Sequence, residues 1–293
     1  MDMEKQSIPM NDLLSKIYTS NLRSVLRRTG FMKIFGCMNQ FRNLIKYMQY
    51  EISNPNILKM KINNIKANFL VSDKQEFSRV SYLQHDKHII KCLIDNIRLG
   101  DCVWDIGASI GLYSVLLGKA LGNKGKVFSF EPENKSFKRL VQNIQENKIE
   151  NVNPYNIALG NKNDKVKLKI EKHFTSGAHT CVGLSGGQDN NIDNYEEIEI
   201  YNGDSFRVLN KIEIPSIIKI DVEGAEEDVL VGLSETLDDV RCRLIVSEIH
   251  FSVLESTGRK DTPANIQRLL LAKGFRKQKW LDPSHLAAFK DNH

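Results

Sequence analysis

From about residue 85 onward, strand-like apolar segments alternate with helix-like segments, and this alternation constrains the fold more than any other feature of the chain. The predicted strands cover residues 102–106, 126–130, 153–158, 217–221 and 244–249. The predicted helices cover residues 86–97, 111–121, 134–147, 225–237 and 263–273. Such alternation is typical of a parallel sheet covered by helices on both faces. The sequence therefore predicts an α/β domain.

Two hairpins flank this alternating region. Residues 275–281 and 286–290 are joined by a connection so short that the two strands must be antiparallel. Near the other end, residues 57–62 and 67–71 flank a turn-prone Asn-Asn pair.

We divide the chain into a helical extension (1–55), a hairpin with its connector (56–84) and a main domain (85–293). A polar insertion at residues 165–202 interrupts the alternation, with strand-like segments at 165–170 and 197–201 on either side of a glycine-rich middle. It is either a surface excursion or a lobe that faces the substrate.

The basic excess of the chain lies at its N-terminal end. The net charge is +5, and residues 1–50 hold 8 Lys or Arg against 3 Asp or Glu, while the rest is balanced at 33 against 33. Residues 10–50 show helical apolar spacing, which indicates helices packed on the main domain or, alternatively, a basic amphipathic surface for peripheral membrane contact. Because the main domain is neutral, we expect no nucleic-acid partner.

Composition excludes several other classes of protein. No apolar run approaches the roughly 18 residues of a membrane-spanning helix, and acidic residues at positions 2 and 4 argue against a secretory signal. The five cysteines contain no Cys-x-x-Cys pair, so neither a disulfide framework nor a zinc site is indicated. We expect a cytoplasmic protein.

A glycine-containing turn follows the first strand of the alternating region. The strand ends in Asp105, the turn has Gly107 and Gly111, and the next strand ends at Glu131. An acid at the end of a second strand is placed to accept both hydroxyls of a ribose. A nicotinamide dinucleotide prefers Gly-x-Gly-x-x-Gly, and Asp105 would repel its pyrophosphate. The charge at Asp105 favours a positively charged cofactor such as S-adenosylmethionine.

Four motifs resemble the FkbM family of S-adenosylmethionine-dependent methyltransferases over roughly residues 85–290. They are Asp-Ile-Gly-Ala-Ser-Ile-Gly-Leu-Tyr-Ser from 105, Phe-Ser-Phe-Glu-Pro from 128, Asn-Ile-Ala-Leu-Gly from 156 and Ile-Lys-Ile-Asp-Val-Glu-Gly-Ala-Glu from 218. Ser109 stands where the family often has Asn, which changes one side-chain hydrogen bond.

The resemblance implies a class I methyltransferase, Rossmann-like sheet of seven strands, mostly parallel, with an antiparallel C-terminal hairpin. It also implies O-methyl transfer to a hydroxyl of a sugar, glycolipid or polyketide-like acceptor. The cofactor-binding residues that it implies are Asp105, Gly107, Ala108, Gly111, Tyr113, Glu131, Ala158 and Asp221.

The fourth motif places acidic residues at the end of a predicted strand. Asp221, Glu223 and Glu226 could bind hydroxyls of the acceptor, accept its proton or hold a divalent cation, although no spacing is diagnostic of a metal. Alternatively, the acids only stabilise the N-terminus of the following helix. Lys219 lies two residues before Asp221 and could reach the pocket floor or neutralise that carboxylate.

The fifth strand ends with Glu248 and His250, which share one face of the strand. Histidine titrates near neutrality, so His250 is the leading candidate for a catalytic base, with Glu248 orienting it or contacting the acceptor. A purely structural histidine is the alternative. The other candidate bases are His85, His88, His173 and His179.

Taken together, these residues predict an S-adenosylmethionine-dependent O-methyltransferase with catalytic residues His250, Asp221, Glu223 and Glu248. The expected partner is a small-molecule or glycan acceptor. One alternative is a non-catalytic adaptor recruited to a membrane-associated or glycan assembly through residues 10–50. The other alternative is an NAD-dependent oxidoreductase.

Overall fold

The computed structural model describes residues 56–83, 86–169, 180–181 and 195–290. The predicted helices and membrane contact of residues 10–50 lie outside the described residues, and so do His85, His173 and His179. None of the helices in the described ranges is both long enough and apolar enough to span a bilayer.

The described residues form thirteen strands and nine α-helices. The strands are β1 (Ile57–Ile62), β2 (Ile65–Leu70), β3 (Cys102–Ile106), β4 (Lys126–Phe130), β5 (Val152–Tyr155), β6 (Ala158–Gly160), β7 (Asp164–Lys169), β8 (Thr180–Cys181), β9 (Tyr195–Asn202), β10 (Ile217–Ile220), β11 (Leu244–Glu248), β12 (Lys277–Trp280) and β13 (His285–Phe289). The helices are α1 (Lys74–Tyr82), α2 (Lys87–Asp95), α3 (Leu112–Leu121), α4 (Asn134–Glu146), α5 (Gly203–Leu209), α6 (Glu226–Gly232), α7 (Ser234–Asp238), α8 (Phe251–Ser256) and α9 (Thr262–Ala272).

Seven strands form the central sheet, in the order β12-β13-β11-β10-β3-β4-β5. In this order, each strand from β11 through β10, β3 and β4 to β5 is parallel to its neighbour. By contrast, β13 runs antiparallel to both β11 and β12. The middle strands are buried on both faces, as the fully buried Trp104, Phe130 and Ile220 show, because helices cover both sides. The predicted mostly parallel sheet with an antiparallel C-terminal hairpin is confirmed.

The prediction of one strand at residues 153–158 is wrong. After β5 the chain leaves the central sheet, and the side chain of Asn156 donates to the backbone oxygens of Glu131 and Pro132, at 3.0 and 2.9 Å. The chain then enters β6, which belongs to a second sheet of order β6-β9-β7-β8. The described part of the predicted insertion is therefore ordered sheet around the β7–β9 ladder, in which Leu168 and Ile198 are buried.

The helix predicted at residues 225–237 is two helices, because the chain breaks at Leu233 between α6 and α7. Three helices, α1, α5 and α8, were not predicted at all. They have 9, 7 and 6 residues, too few for an apolar helical period to be recognised.

The turn after β3 crosses onto β4 and lies close to the end of β10. The backbone N–H groups of Gly107 and Ala108 donate to the oxygen of Phe130, at 2.9 and 3.0 Å. Gly107 has φ +78°, and a Cβ atom there would lie 1.7 Å from the backbone oxygen of Asp221. Only glycine allows this approach.

The variant Gly107→Ala should be much less stable than Gly122→Ala. Both glycines have positive φ, but a Cβ atom at Gly122 would meet nothing within 4 Å. Alanine is strained by the positive φ at both positions, and at Gly122 by the glycine-only combination of φ 58° and ψ −156°, so a larger loss at Gly107 reports the collision with Asp221. We expect Gly107→Ala to lose at least about 2 kcal/mol more free energy of unfolding in urea titrations. Equal losses would contradict the close approach.

A buried histidine ties the last hairpin to the end of β11. Nδ1 of His285 lies 2.9 Å from Oδ2 of Asp282, and Nε2 lies 3.4 Å from Oε2 of Glu248. Burial alone would lower the pKa of His285, but hydrogen bonds and charge from these two carboxylates raise it to about 10. The imidazolium thereby fixes Glu248 next to the site described below.

The variant His285→Gln should show a pH-dependent loss of stability. The folded pKa of His285 lies above its unfolded value, so its stabilisation is complete below about pH 6.5 and is lost as the pH rises toward about 10. We expect a deficit of roughly 1–3 kcal/mol in the free energy of unfolding at pH 6, shrinking by pH 9.

The control is His88→Gln, because His88 also contacts Asp282 but its side chain is 45% exposed. Its loss should stay below about 1 kcal/mol. A deficit of His285→Gln that does not change with pH would contradict the ionic role.

Candidate active site

A cavity of about 410 Å³ opens where β3, β4 and β10 end. Its lining includes Gly107, Glu131, Asp221 and Glu223, and a wall is formed by β6, which contains Ala158, by β7 and by the turn between them. Carboxyl ends of parallel strands are where ligands bind in open α/β sheets. The structure thus brings four of the predicted cofactor residues and two of the predicted catalytic residues to one cavity.

The remaining predicted cofactor residues lie behind the cavity wall. Ala108 and Tyr113 are buried. A Cβ atom on Gly111 would lie 2.5 Å from Cδ1 of Leu140 in α4, so this glycine lets two helices pack closely. Because these three residues do not line the cavity, they support the turn from behind.

Asp105 is placed differently from the prediction that its carboxylate faces a cationic ligand. The side chain is fully buried, and Oδ2 accepts a hydrogen bond from Oγ of Ser114 at 2.5 Å. Oδ1 lies 3.4 Å from Nζ of Lys219. Asp105 acts on the site only through this lysine.

Lys219 is the buried cation beneath the cavity. Its Nζ atom donates to the backbone oxygen of Gly107 at 3.0 Å and lies 3.3 Å from Oδ2 of Asp221. Burial alone would lower the pKa of Lys219, but the charges of Asp221 and Asp105 raise it above its usual value. Burial would in turn raise the pKa of Asp221, but Lys219 and His250 lower it. Both alternatives offered by the sequence hold, since Lys219 lies under the pocket and neutralises Asp221.

Glu131 faces the cavity with both carboxylate oxygens held by backbone N–H groups. Oε2 accepts from Ser109 at 2.7 Å, and Oε1 accepts from Glu133 at 2.9 Å. Ser109 has φ +51°, and its hydroxyl is bonded by Arg79 of α1. Burial raises the pKa of Glu131 to about 7, although these two N–H groups and Arg79 oppose the shift.

One imidazole lies among three carboxylates at the end of β11. Nε2 of His250 lies 3.1 Å from Oε2 of Glu223 and 3.5 Å from Oδ1 of Asp221, and Nδ1 lies 2.7 Å from Oε1 of Glu226. Burial would lower the pKa of His250, but the hydrogen bond to Glu226 and the carboxylate charges raise it to about 9. The imidazole therefore carries a proton at neutral pH in this arrangement.

The prediction that Glu248 orients His250 is wrong, because Glu226 has this role. Glu226 is fully buried, and its Oε1 atom also accepts from the backbone N–H of Gly224 at 2.8 Å. Glu248 instead pairs with His285. The sequence pattern ranked Glu226 as an ordinary first-turn acid, although it stands within the fourth motif.

Glu223 reaches the cluster through an unusual backbone conformation. Its φ is +54° and that of Gly224 is +101°, so the chain makes a left-handed turn before α6 begins. Burial raises the pKa of Glu223 to about 7, against the opposing charge of His250. His88, a candidate base in the sequence, lies by Asp282 rather than in this cluster.

Ligand-type atoms of Asp221, Glu223 and His250 all lie within 4.8 Å of one another. The acids that precede α6 therefore do more than stabilise its N-terminus, because Asp221 and Glu223 converge on the imidazole of His250, which follows β11. Arg79, which lies in a short helix with no motif, gave no signal in the sequence.

Comparison with known proteins agrees with these motifs. The sequence model of the Methyltransferase FkbM domain matches residues 105–277, more than half of the chain. A relative, the hexuronic acid methyltransferase AglP of Haloferax volcanii, is 26% identical over 193 residues, which cover 66% of this chain and 74% of that protein.

Solved structures are similar at lower identity. The precorrin-6y C5,15-methyltransferase of Geobacter metallireducens is 12% identical with a TM-score of 0.41, covering 70% of this chain and 88% of that one. The fibrillarin of Aeropyrum pernix, solved with bound S-adenosyl-L-methionine, is 14% identical with a TM-score of 0.40, covering 69% and 73%.

The central sheet has the class I methyltransferase arrangement, with parallel strands and an antiparallel end. All four motifs lie within the matched residues, and residues from each motif line the cavity. The chain belongs to the FkbM methyltransferase family.

Proposed function

We propose that this chain transfers the methyl group of S-adenosylmethionine to a hydroxyl of a sugar-containing acceptor. The observation that carries the proposal is the single cavity in which Gly107, Glu131 and Ala158 meet the paired acids Asp221 and Glu223. AglP, a methyltransferase that acts on a hexuronic acid, supplies the precedent for a sugar acid as the acceptor class.

The residues present fit this cofactor better than a dinucleotide. Five acidic residues line the cavity, Glu131, Asp164, Asp221, Glu223 and Asp228, and they favour a ligand with positive charge and hydroxyl donors over a pyrophosphate. We assign the ribose hydroxyls to Glu131 and the positively charged methionine end to the side of Asp221. When bound, S-adenosylmethionine supplies an electrophilic methyl group on a sulfonium.

The acceptor hydroxyl is assigned to the cluster of Asp221, Glu223 and His250, with Glu248 at the edge. Its lone pair must face the methyl group while its proton moves to a carboxylate oxygen of Asp221 or Glu223, because the imidazole of His250 is already protonated at neutral pH. Positioning is the main contribution of the chain, and proton removal adds about 10²–10⁴-fold. Glu226 positions the imidazole by holding Nδ1.

The wall made by β7 and the turn before it favours an acidic acceptor. The residues of this wall include Lys162, Lys165 and Lys167. Lys162 pairs with Asp164, and Lys165 lies 3.5 Å from Glu199. A cavity lined by both carboxylates and lysines suits a cationic donor together with a uronic acid.

Release of S-adenosylhomocysteine should require both S-adenosylmethionine and an acceptor. We would screen glycans that contain hexuronic acid, their neutral parents and polyketide alcohols, and we expect the largest kcat/KM for the acidic glycans. The variant Asp221→Asn should lower the release at least about tenfold, because it removes charge from the cavity.

The matched control is Glu227→Gln, an acid in the same first turn of α6 that instead bonds Thr262 and Asn265. It should keep near wild-type rates. Cofactor binding without turnover on any acceptor would favour the adaptor, and thermal protection by NAD but not by S-adenosylmethionine would favour the oxidoreductase. Either result would contradict the proposal.

Binding of adenosine should tighten as the pH rises from 6 to 8. Adenosine carries the ribose but no group that titrates in this range, so a change reports on Glu131, whose pKa is about 7. The ionised carboxylate accepts hydrogen bonds from the ribose hydroxyls, and the protonated form accepts fewer. We therefore expect calorimetry to show that the Kd for adenosine falls by up to about tenfold from pH 6 to pH 8.

The control is Glu131→Gln, which should bind adenosine weakly at every pH, so that the dependence of the Kd on pH disappears. Urea titration of the variant shows whether it is folded. A flat profile for the wild-type protein would remove Glu131 from the ribose site.

A further inference from the structure

We propose that Asp221, Glu223 and His250 form a site for one divalent cation of the Mg²⁺ and Mn²⁺ class at the acceptor end of the cavity. Their ligand atoms lie within 4.8 Å of one another, and two of the three residues, Asp221 and Glu223, line the cavity, so an ion can reach these two carboxylates from the cavity. The inference deepens the proposed transfer and rests on it for its role in catalysis, but binding of the ion is measured separately.

The imidazole is prepared for this role by the residue behind it. The Oε1 atom of Glu226 accepts from the backbone N–H of Gly224 and lies 2.7 Å from Nδ1 of His250. Nδ1 therefore keeps its hydrogen, while Nε2 points at the other two carboxylates and would lose its proton to solvent when an ion binds. A carboxylate that holds the outer nitrogen of a histidine is the usual support of a metal-ligating imidazole.

The distances match the edges of a coordination octahedron. Bonds of about 2.1 Å to Mg²⁺ place adjacent ligand atoms about 3.0 Å apart. The observed separations from Nε2 are 3.1 Å to Glu223 and 3.5 Å to Asp221. Small side-chain rotations would bring all three atoms to one ion.

The two oxygens of Asp221 are already divided between two partners. Oδ2 faces Nζ of Lys219 at 3.3 Å, whereas Oδ1 faces Nε2 of His250. The lysine thus fixes the carboxylate from below, and Oδ1 is the atom left for an ion. The arrangement supplies one ligand atom from each of three residues.

The donor set indicates the class of ion. Two carboxylates favour Mg²⁺ or Mn²⁺, a single imidazole is compatible with Mn²⁺, and no thiol is present to select zinc. The cysteines Cys102 and Cys242 are buried elsewhere, in β3 and before β11. Mn²⁺ is therefore the probe of choice.

Three protein ligands leave coordination positions open toward the cavity. Two neighbouring oxygens of a sugar, such as a diol or a hydroxyl beside a carboxylate, could fill them. A bound cation would offset the repulsion between an acidic acceptor and the carboxylates, and it would lower the pKa of a hydroxyl that it binds. The site would then select acceptors with paired oxygens.

Electron paramagnetic resonance of Mn²⁺ tests the site on the full chain. We expect about one ion per chain for the wild-type protein in the presence of S-adenosylhomocysteine. The variants Glu223→Gln and His250→Gln should each weaken Mn²⁺ binding at least about tenfold, while Glu227→Gln, on the same helix turn but outside the cluster, should bind within about twofold of wild type.

Affinity for S-adenosylhomocysteine should persist in Glu223→Gln and His250→Gln, which shows that they are folded. Weak Mn²⁺ binding that is equal in all variants would overturn the site, whether or not methyl transfer is found. Site-specific Mn²⁺ binding without transfer to any acceptor would support the site and count against the proposed function. Full transfer in EDTA would overturn the role of the ion in catalysis and leave the proposed function standing.

Discussion

The active-site end of the central sheet depends on one buried ammonium group. Nζ of Lys219 lies 3.4 Å from Asp105 of β3 and 3.3 Å from Asp221 after β10, and it donates to the backbone of Gly107 at 3.0 Å. A single buried cation thus holds two strand ends and the turn between them. Removing it would leave buried carboxylates without a counter-ion, which is far more costly than losing an exposed ion pair.

The sequence predicted those strands and helices that belong to the long alternating region of the chain. The strands β3 and β4 and the helix α4 were predicted to within one residue, because their apolar periods are long and their ends carry glycine, acid or turn residues. The second sheet was predicted only as two strand-like segments, 165–170 and 197–201, which correspond to β7 and β9. Its strand β6 has three residues, and its pairing with β9 joins positions about forty residues apart, which no local pattern reveals.

The sequence motifs predicted which residues form the candidate site, but not which of their side chains contact one another. Sequence spacing placed Asp221, Glu223 and His250 near one another, and the structure agrees. It could not show that Glu226 rather than Glu248 holds the imidazole, because Glu248 is two residues from His250 along the chain whereas Glu226 is 24 residues away. The choice depends on the left-handed turn at Glu223 and Gly224, which aims the buried Glu226 at Nδ1, and such tertiary geometry has no periodic signature.

The second sheet explains how a common cofactor frame can carry a particular acceptor preference. A Cβ atom on Gly232 of α6 would lie 1.8 Å from the backbone oxygen of Gly160, so β6 packs directly on the helix that follows the acidic motif. The wall formed by β7, which lines the same cavity as Asp221, is thereby held in place. In the proposed reaction, this wall contacts the acceptor, whereas Lys219 and the turn hold the end of the cavity that we assign to the cofactor.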